Sequence, residues 1–107
     1  MASEELKKSW ARTEGYLRDA RARFSKTAEE TCSDELADFQ DYIDHNELGL
    51  ALECLDEAFE RSGVEDLRVL ELLALAAANM SLHDRQQLYD ERLSVALGRK
   101  YETVVRS

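Results

Sequence analysis

Apolar residues recur at spacings of three and four along most of the chain, which is the period of an amphipathic α-helix. The first such segment predicts a helix from about Glu4 to Phe24, with Ser3 as its N-cap. Apart from Thr13, one face of this helix is apolar and comprises Leu6, Trp10, Leu17, Ala20 and Phe24. We expect this stripe to be the buried side of the first helix.

The next two apolar segments predict a helical hairpin. Its first helix begins at Ser33, and its buried residues are expected to be Leu36, Phe39 and Ile43. Its second helix runs from about Glu47 to Arg61 and ends at Ser62-Gly63, where glycine can adopt a left-handed conformation. The expected buried residues of this second helix are Leu48, Ala51, Leu52, Leu55 and Phe59.

A polar junction, residues 44–47 (DHNE), connects the two helices of the hairpin. A plain helix–helix turn explains it: Asp44 and His45 close the first helix, and Asn46 caps the second. Gly49 lies in the first turn after the junction, where the lack of a side chain would let a neighbouring backbone come close.

The last third of the chain predicts a buried helix followed by a surface helix. Residues 66–79 (DLRVLELLALAAAN) are apolar on nearly all sides, which is typical of the central helix of a bundle. Ser81 is the expected N-cap of a last helix whose apolar residues are Leu82, Tyr89, Leu93, Ala96 and Leu97. Gly98 would end it, leaving residues 99–107 as a further turn or a frayed tail.

These segments together predict an all-α protein, a compact bundle of four to five helices with short connections in a single domain, residues 1–107. The composition agrees, because there is no proline and there are only four glycines, whereas a many-stranded fold needs frequent turn residues. The N-terminus does not resemble a signal peptide, and the longest apolar run, Val69 to Met80, is too short to span a bilayer. We therefore expect a cytoplasmic protein with no membrane role and with reduced cysteines.

The net charge of −9 is concentrated in one third of the chain. Residues 28–66 hold fourteen Asp/Glu and a single arginine, Arg61, whereas both flanking segments have a small basic excess. This acidic third would repel nucleic acid and attract a cationic protein. The basic residues of the first helix are expected to balance it, within one molecule or across a dimer; they are Lys7, Lys8, Arg12, Arg18, Arg21 and Arg23.

The acids of the hairpin recur at helical spacings. Asp34, Asp38 and Asp41 follow one face of the first hairpin helix, and four acids do the same on the second, namely Glu53, Asp56, Glu57 and Glu60. Like charges at these spacings repel each other by about 0.2–0.5 kcal/mol per pair, so they do not stabilise the fold. Two interpretations remain open: a solubilising surface, or a face that binds a cationic protein.

Catalytic and metal-binding motifs are incomplete. A calcium loop starting at Asp44 would place Leu48 and Leu55 at positions that need oxygen ligands. His45-x-Glu47 matches half of a zinc deaminase signature, but the chain has no Pro-Cys-x-x-Cys to complete it. Cys32, Cys54 and His83 are not at metal-ligand spacings, and no serine or cysteine has the context of a nucleophile. We therefore predict no catalytic residue, no metal and no cofactor.

Residues 39–53 (FQDYIDHNELGLALE) resemble the helical hairpin of MafI-type immunity proteins, in which an apolar helix and a polar turn precede Glu, Gly and Leu-Ala-Leu-Glu. Residues 70–80 (LELLALAAANM) are similar to the Ala/Leu-rich helix that follows in such proteins, so the resemblance covers about residues 34–97. It implies an immunity protein of a bacterial polymorphic toxin or contact-dependent growth inhibition system. Such proteins are small, cytosolic and non-catalytic, and each blocks one cognate toxin domain, often a nuclease such as an EndoU-type ribonuclease.

The resulting hypothesis is a one-to-one inhibitor whose acidic hairpin covers a basic site of the toxin. The expected contacts are Asp38, Asp41, Asp44, Glu47, Glu53, Asp56, Glu57 and Glu60, with Tyr42 and His45 as anchors near the corner. Nucleic acid and membranes are not expected as partners. The alternative is a helical structural or adaptor module that forms a homodimer through the apolar stripe of the first helix. A metal-dependent enzyme is the third possibility and would require bound zinc.

Overall fold

A computed structural model of the protein describes residues 3–63 and 65–104. Within these ranges the backbone forms six α-helices and no strand, which confirms the all-α class. The helices are α1 (Glu4–Ala22), α2 (Lys26–Thr31), α3 (Ser33–Asp44), α4 (Leu48–Ser62), α5 (Leu67–Asn79) and α6 (His83–Leu97). None of the helices in this part of the chain is long and apolar enough to cross a membrane.

The predicted number of four to five helices is wrong because α2 is a separate helix. It begins directly after Phe24, where the Ser25 hydroxyl accepts a hydrogen bond from the Ala28 amide. With six residues and Ala28 as its buried residue, it is too short to show a helical period in the sequence. Cys32 then ends α2 and directly precedes α3.

The core is built from two helix pairs joined by α1. Helix α5 packs between α1 and α6, α3 packs against α4, and α1 also contacts α4. The predicted central helix is confirmed, since seven of the thirteen residues of α5 are buried. All predicted buried residues of the hairpin are buried as well, and Gly63 ends α4 at a φ of 68°.

Two predicted N-caps are wrong, because Asn46 and Ser81 instead end the preceding helix. Both have left-handed φ angles, 55° and 60°, and the residue after each donates its amide to the carbonyl five positions earlier. These bonds, Glu47 N to Tyr42 O and Leu82 N to Ala77 O, are both 2.8 Å and define a Schellman motif. The N-cap residues of α4 and α6 are consequently Glu47 and Leu82, and neither makes a side-chain cap hydrogen bond.

Three other local predictions are corrected. No heavy atom lies within 4 Å of the position that a Cβ on Gly49 would occupy, so no neighbouring backbone comes close there. In α1, Leu6 and Trp10 are 44% and 37% exposed, whereas the rest of the stripe is buried. In α6, Tyr89 and Leu93 are buried, but Ala96 and Leu97 are exposed.

Residues 99–104 are neither a further helical turn nor a frayed tail, because they pack back along α6. The Tyr101 amide donates a hydrogen bond to the Ser94 hydroxyl at 2.8 Å. The Thr103 amide donates to Asp90 at 3.0 Å, and the Thr103 hydroxyl bonds the other oxygen of the same carboxylate. Ser94 and Asp90 are one turn apart, so one face of α6 holds this extended segment. Residues 105–107 lie outside the described ranges.

Candidate partner-binding surface

The structure divides the acidic third into acids that are ion-paired within the protein and acids that are not. Within residues 3–63 and 65–104, six of the fourteen carboxylates contact an arginine, and their side chains range from exposed to largely buried. The pairs are Glu29–Arg21, Asp66–Arg23, Glu35–Arg61, Glu53–Arg85, Asp56–Arg85 and Glu60–Arg92. The first helix therefore balances part of the acidic third within one molecule, through Arg21 and Arg23.

Among these paired acids, Asp56 has the clearest role in holding the fold together. Its Oδ2 accepts hydrogen bonds from Arg85 at 3.1 Å and from the Tyr89 hydroxyl at 2.9 Å, and its side chain is only 16% exposed. Burial, followed by the charge of Asp56, raises the pKa of Tyr89 well above its usual range, so the phenol remains a donor. This network joins α4 to α6, and it engages the Asp56 carboxylate in contacts within the protein.

Arg85 and Arg92 of α6 also hold the other acids on that side of α4. Arg85 contacts Glu53 at 3.2 Å, and Arg92 pairs with Glu60. The sequence suggested that the four acids of α4 form one continuous free face. The structure shows that they do not. A signal for this pairing exists in the sequence: Glu53 and Glu60 are seven residues apart, and so are Arg85 and Arg92.

Four other acids of the hairpin lie near Tyr42 or Cys54. Asp38 and Asp41 are exposed on α3, whereas Glu47 directly precedes α4 and Glu57 lies on it. Asp38, Glu47 and Glu57 have no ion-pair partner among residues 3–63 and 65–104. We call Asp38, Asp41, Tyr42, Glu47 and Glu57 the hairpin surface.

The acids of the hairpin raise the pKa of one group on each helix, Tyr42 on α3 and Cys54 on α4. Partial burial raises the pKa of Tyr42, and the nearby charges of Cys54, Asp38, Glu47 and Asp41 raise it further. Partial burial likewise raises the pKa of the Cys54 thiol, and the charges of Asp38 and Glu57 raise it further. Cys54 therefore lies between acids of both helices, a position that sequence reasoning did not assign to it.

At the corner of the hairpin, His45 packs onto the end of α3. Its Nδ1 lies 2.7 Å from the Asp41 carbonyl oxygen and 3.5 Å from the Asp41 carboxylate, and the ring is exposed. This hydrogen bond, followed by the charge of Asp41, raises the pKa of His45 above its usual value. Asp44, next to it, accepts a hydrogen bond from the Gln40 amide at 2.9 Å. The two predicted corner contacts are thus exposed and already hydrogen-bonded locally.

The raised pKa of His45 predicts a pH-dependent contribution to stability. The protonated ring is favoured in the folded state, so its contribution is fully present below the ordinary value of about 6.5 and is lost as the pH rises through the raised value. We expect His45→Gln to lower the free energy of unfolding more at about pH 5.5 than at about pH 8.5. Urea denaturation at both values measures this, with His83→Gln as the matched histidine control. An equal loss at both values would contradict the assignment.

Other parts of the molecule are weaker candidates for a functional site. A cavity of about 710 Å³ is an open groove between α6 and residues 100–102, lined mostly by polar side chains. Within residues 3–63 and 65–104, no group of three or more His, Cys, Asp or Glu is arranged to hold a metal ion. Cys32 is fully buried, its Sγ donates to the Ala58 carbonyl at 3.3 Å, and burial raises its pKa. This thiol is a packing group of the core.

Of the ten predicted contact residues, the structure places five on the hairpin surface and two, Asp44 and His45, at the adjacent corner. The other three, Glu53, Asp56 and Glu60, lie on the side of α4 that faces α6. Comparison of the chain with models of protein families, with curated proteins and with solved structures finds no match.

Proposed function

We propose that the protein is an immunity protein that binds a cognate secreted toxin domain and neutralises it through the hairpin surface. The observation that carries this proposal is a set of exposed carboxylates of the hairpin, near Tyr42 and Cys54, that pair with no arginine or lysine of the described chain. The resemblance of residues 39–53 to MafI-type immunity proteins supports the same conclusion. The toxin is expected to be a basic protein. Among basic toxins, a nuclease of the EndoU ribonuclease type is the class that we favour.

The arrangement is unfavourable for the isolated protein, which supports a role in binding. Asp34, Asp38 and Asp41 are exposed at spacings of four and three on α3, where like charges repel. On α4, by contrast, Glu53 and Glu60 are paired with arginines of α6, so the fold does supply cations at some of its acidic positions. An uncompensated acidic face is advantageous where it meets a positively charged surface, because the complementary field speeds encounter and orients the two proteins.

A nuclease provides such a surface. Its active-site groove binds phosphates and must therefore be basic, so an acidic helical face can occupy the groove in place of nucleic acid. Tyr42 adds an aromatic, partly apolar contact within the ring of charge, and tyrosine is enriched at the energetic centres of protein interfaces. Inhibition would then need no chemistry by the inhibitor, in keeping with the prediction that it is not an enzyme.

The alternative, a homodimer through the stripe of the first helix, has less support from the structure. Leu17 and Phe24 are buried in the core of the same molecule, so they cannot contact a second copy without unfolding. Leu6 and Trp10 remain exposed beside a small cavity of about 320 Å³ that Met80 also lines. Only this N-terminal part of the stripe is available for association.

Co-expression with the candidate toxin tests the proposal. The immunity interpretation expects a large secreted protein with a variable C-terminal domain to be encoded immediately upstream. That C-terminal domain should arrest growth when expressed alone, and co-expression of this protein should restore growth. The purified pair should elute as a complex in which the two are present in equal amounts. Growth arrest that persists despite soluble expression of both proteins would overturn the proposal.

A further inference from the structure

Helix α6 is apolar on two sides, and one of them has no cover within the described chain. Tyr89 and Leu93 are fully buried against the core, whereas Leu88 and Val95 are 48% and 83% exposed. Leu88 and Val95 are seven residues apart, which puts them on the same face two turns from each other. A surface helix of a monomer normally has a polar outer face, so this second apolar stripe indicates a contact that a single copy does not make.

The charges at the centre of this stripe identify what fits it. Glu91 and Arg92 lie between Leu88 and Val95, and all four side chains border one shallow depression of about 290 Å³. The stripe therefore reads apolar, acidic, basic, apolar along the helix. If a second α6 runs antiparallel across it, with a two-fold axis between Glu91 and Arg92, each leucine meets a valine and each glutamate meets an arginine. The stripe is thus its own complement, which is the requirement for a two-fold symmetric interface.

Arg92 is already positioned for such a pairing. Its guanidinium pairs with Glu60 and lies 5.8 Å from the centroid of the Phe59 ring, so its orientation is set within the monomer. A guanidinium has five N–H donors, and one carboxylate cannot use them all. Glu91 of a second copy can therefore bind Arg92 at little cost in side-chain entropy.

We propose that the protein forms a two-fold symmetric homodimer through antiparallel packing of α6, with Leu88 against Val95 and Glu91 against Arg92 of the second copy. A basic toxin is a poorer occupant, because a cationic surface offers no acceptor for the remaining N–H donors of Arg92, whereas Glu91 of a second copy does. The hairpin surface includes no residue of α6, so the dimer leaves it free, and each copy can bind its own partner. The proposal concerns the protein without a toxin and does not depend on the proposed function.

Sedimentation equilibrium of the purified protein tests the dimer. Two apolar side chains per copy make a small interface, so we expect reversible association that disappears on dilution. Leu88→Asp with Val95→Asp should weaken the association by at least about 100-fold, because it removes the apolar contacts and opposes like charges. Val104→Asp, which alters an exposed valine outside the stripe, should leave it unchanged. Circular dichroism and the thermal midpoint of each variant control for folding.

Two results would overturn the proposal. One is a wild-type protein that remains monomeric up to about 1 mM, a concentration at which even weak specific dimers form. The other is a dimer that survives Leu88→Asp with Val95→Asp but is lost in Leu6→Asp with Trp10→Asp, which would place the interface on α1.

Disulfide trapping tests the antiparallel register separately. In a Cys54→Ser background, Leu88→Cys with Val95→Cys should form a covalent dimer when oxidised glutathione accepts the electrons of each thiol pair. The two positions are about 10 Å apart within one helix, too far for a bridge inside one copy. Each single variant should trap much less dimer, because the two-fold axis keeps equivalent positions apart. A single Val95→Cys variant that is trapped as well as the double variant would overturn the register.

Discussion

Asp38→Lys, Asp41→Lys and Glu57→Lys together are expected to raise the dissociation constant of the toxin complex by about 1,000-fold and to abolish growth rescue. Each reversal turns an attraction into a repulsion at a cost of at least about 1.4 kcal/mol, and each such step is a tenfold change in affinity. Calorimetry with an inactive toxin variant measures the affinity, and co-expression measures the rescue. The effect should be larger at low salt, since exposed charges are screened as ionic strength rises.

A matched variant separates the hairpin surface from net charge. Glu5→Lys, Asp19→Lys and Glu102→Lys change the net charge by the same amount, at exposed acids outside the hairpin. We expect this control to bind and to rescue growth nearly as well as the wild type. If both triple variants lose affinity equally, the overall charge drives binding, and the hairpin surface is not the contact site. Rescue that survives the hairpin variant would exclude that surface altogether.

Fold stability offers a second readout of the same variant. Replacing Asp38 and Asp41 removes like-charge repulsion on the exposed side of α3, so the isolated protein should be as stable as the wild type or slightly more stable. Loss of binding together with unchanged or raised stability would distinguish a contact residue from a structural one. A large loss of stability would instead show that these acids support the fold.

The largest expected effect on stability is at Asp56. Asp56→Ala removes the acceptor of the Tyr89 hydroxyl and one acceptor of Arg85, so the hydrogen of a buried phenol loses its acceptor. We expect a loss of about 2–4 kcal/mol in the free energy of unfolding, the cost of leaving a buried donor and part of a charge pair unsatisfied. Urea denaturation followed by circular dichroism measures the loss.

The adjacent residue is the natural control for Asp56. Glu57→Ala truncates an exposed acid that has no ion-pair partner in the described chain, so its effect should be within about 0.5 kcal/mol. A double-mutant cycle with Tyr89→Phe isolates the hydrogen bond from other consequences of the truncation. Equal effects of the two alanine variants would show that the structure does not divide the acids of α4 as described.

Local periodicity was sufficient to predict much of the fold, because a helix that buries one face repeats its apolar residues every three or four positions. The buried faces of α3 and α4, the central α5 and the end of α4 at Gly63 all follow from that pattern. Helix ends were harder to predict. A polar residue after an apolar segment can cap the next helix or close the previous one, and Asn46 and Ser81 do the latter.

The sequence by itself determined the all-α class, the hairpin and the concentration of acid between residues 28 and 66, because these are properties of neighbouring residues. Only the tertiary structure decided which acids are neutralised, since Glu53, Asp56 and Glu60 meet arginines that are 29 to 32 residues away along the chain. It likewise decided that residues 101–103 bind along α6, and that Leu88 and Val95 stay exposed on that helix. Packing brings distant charges within contact distance, and no local period reports that distance.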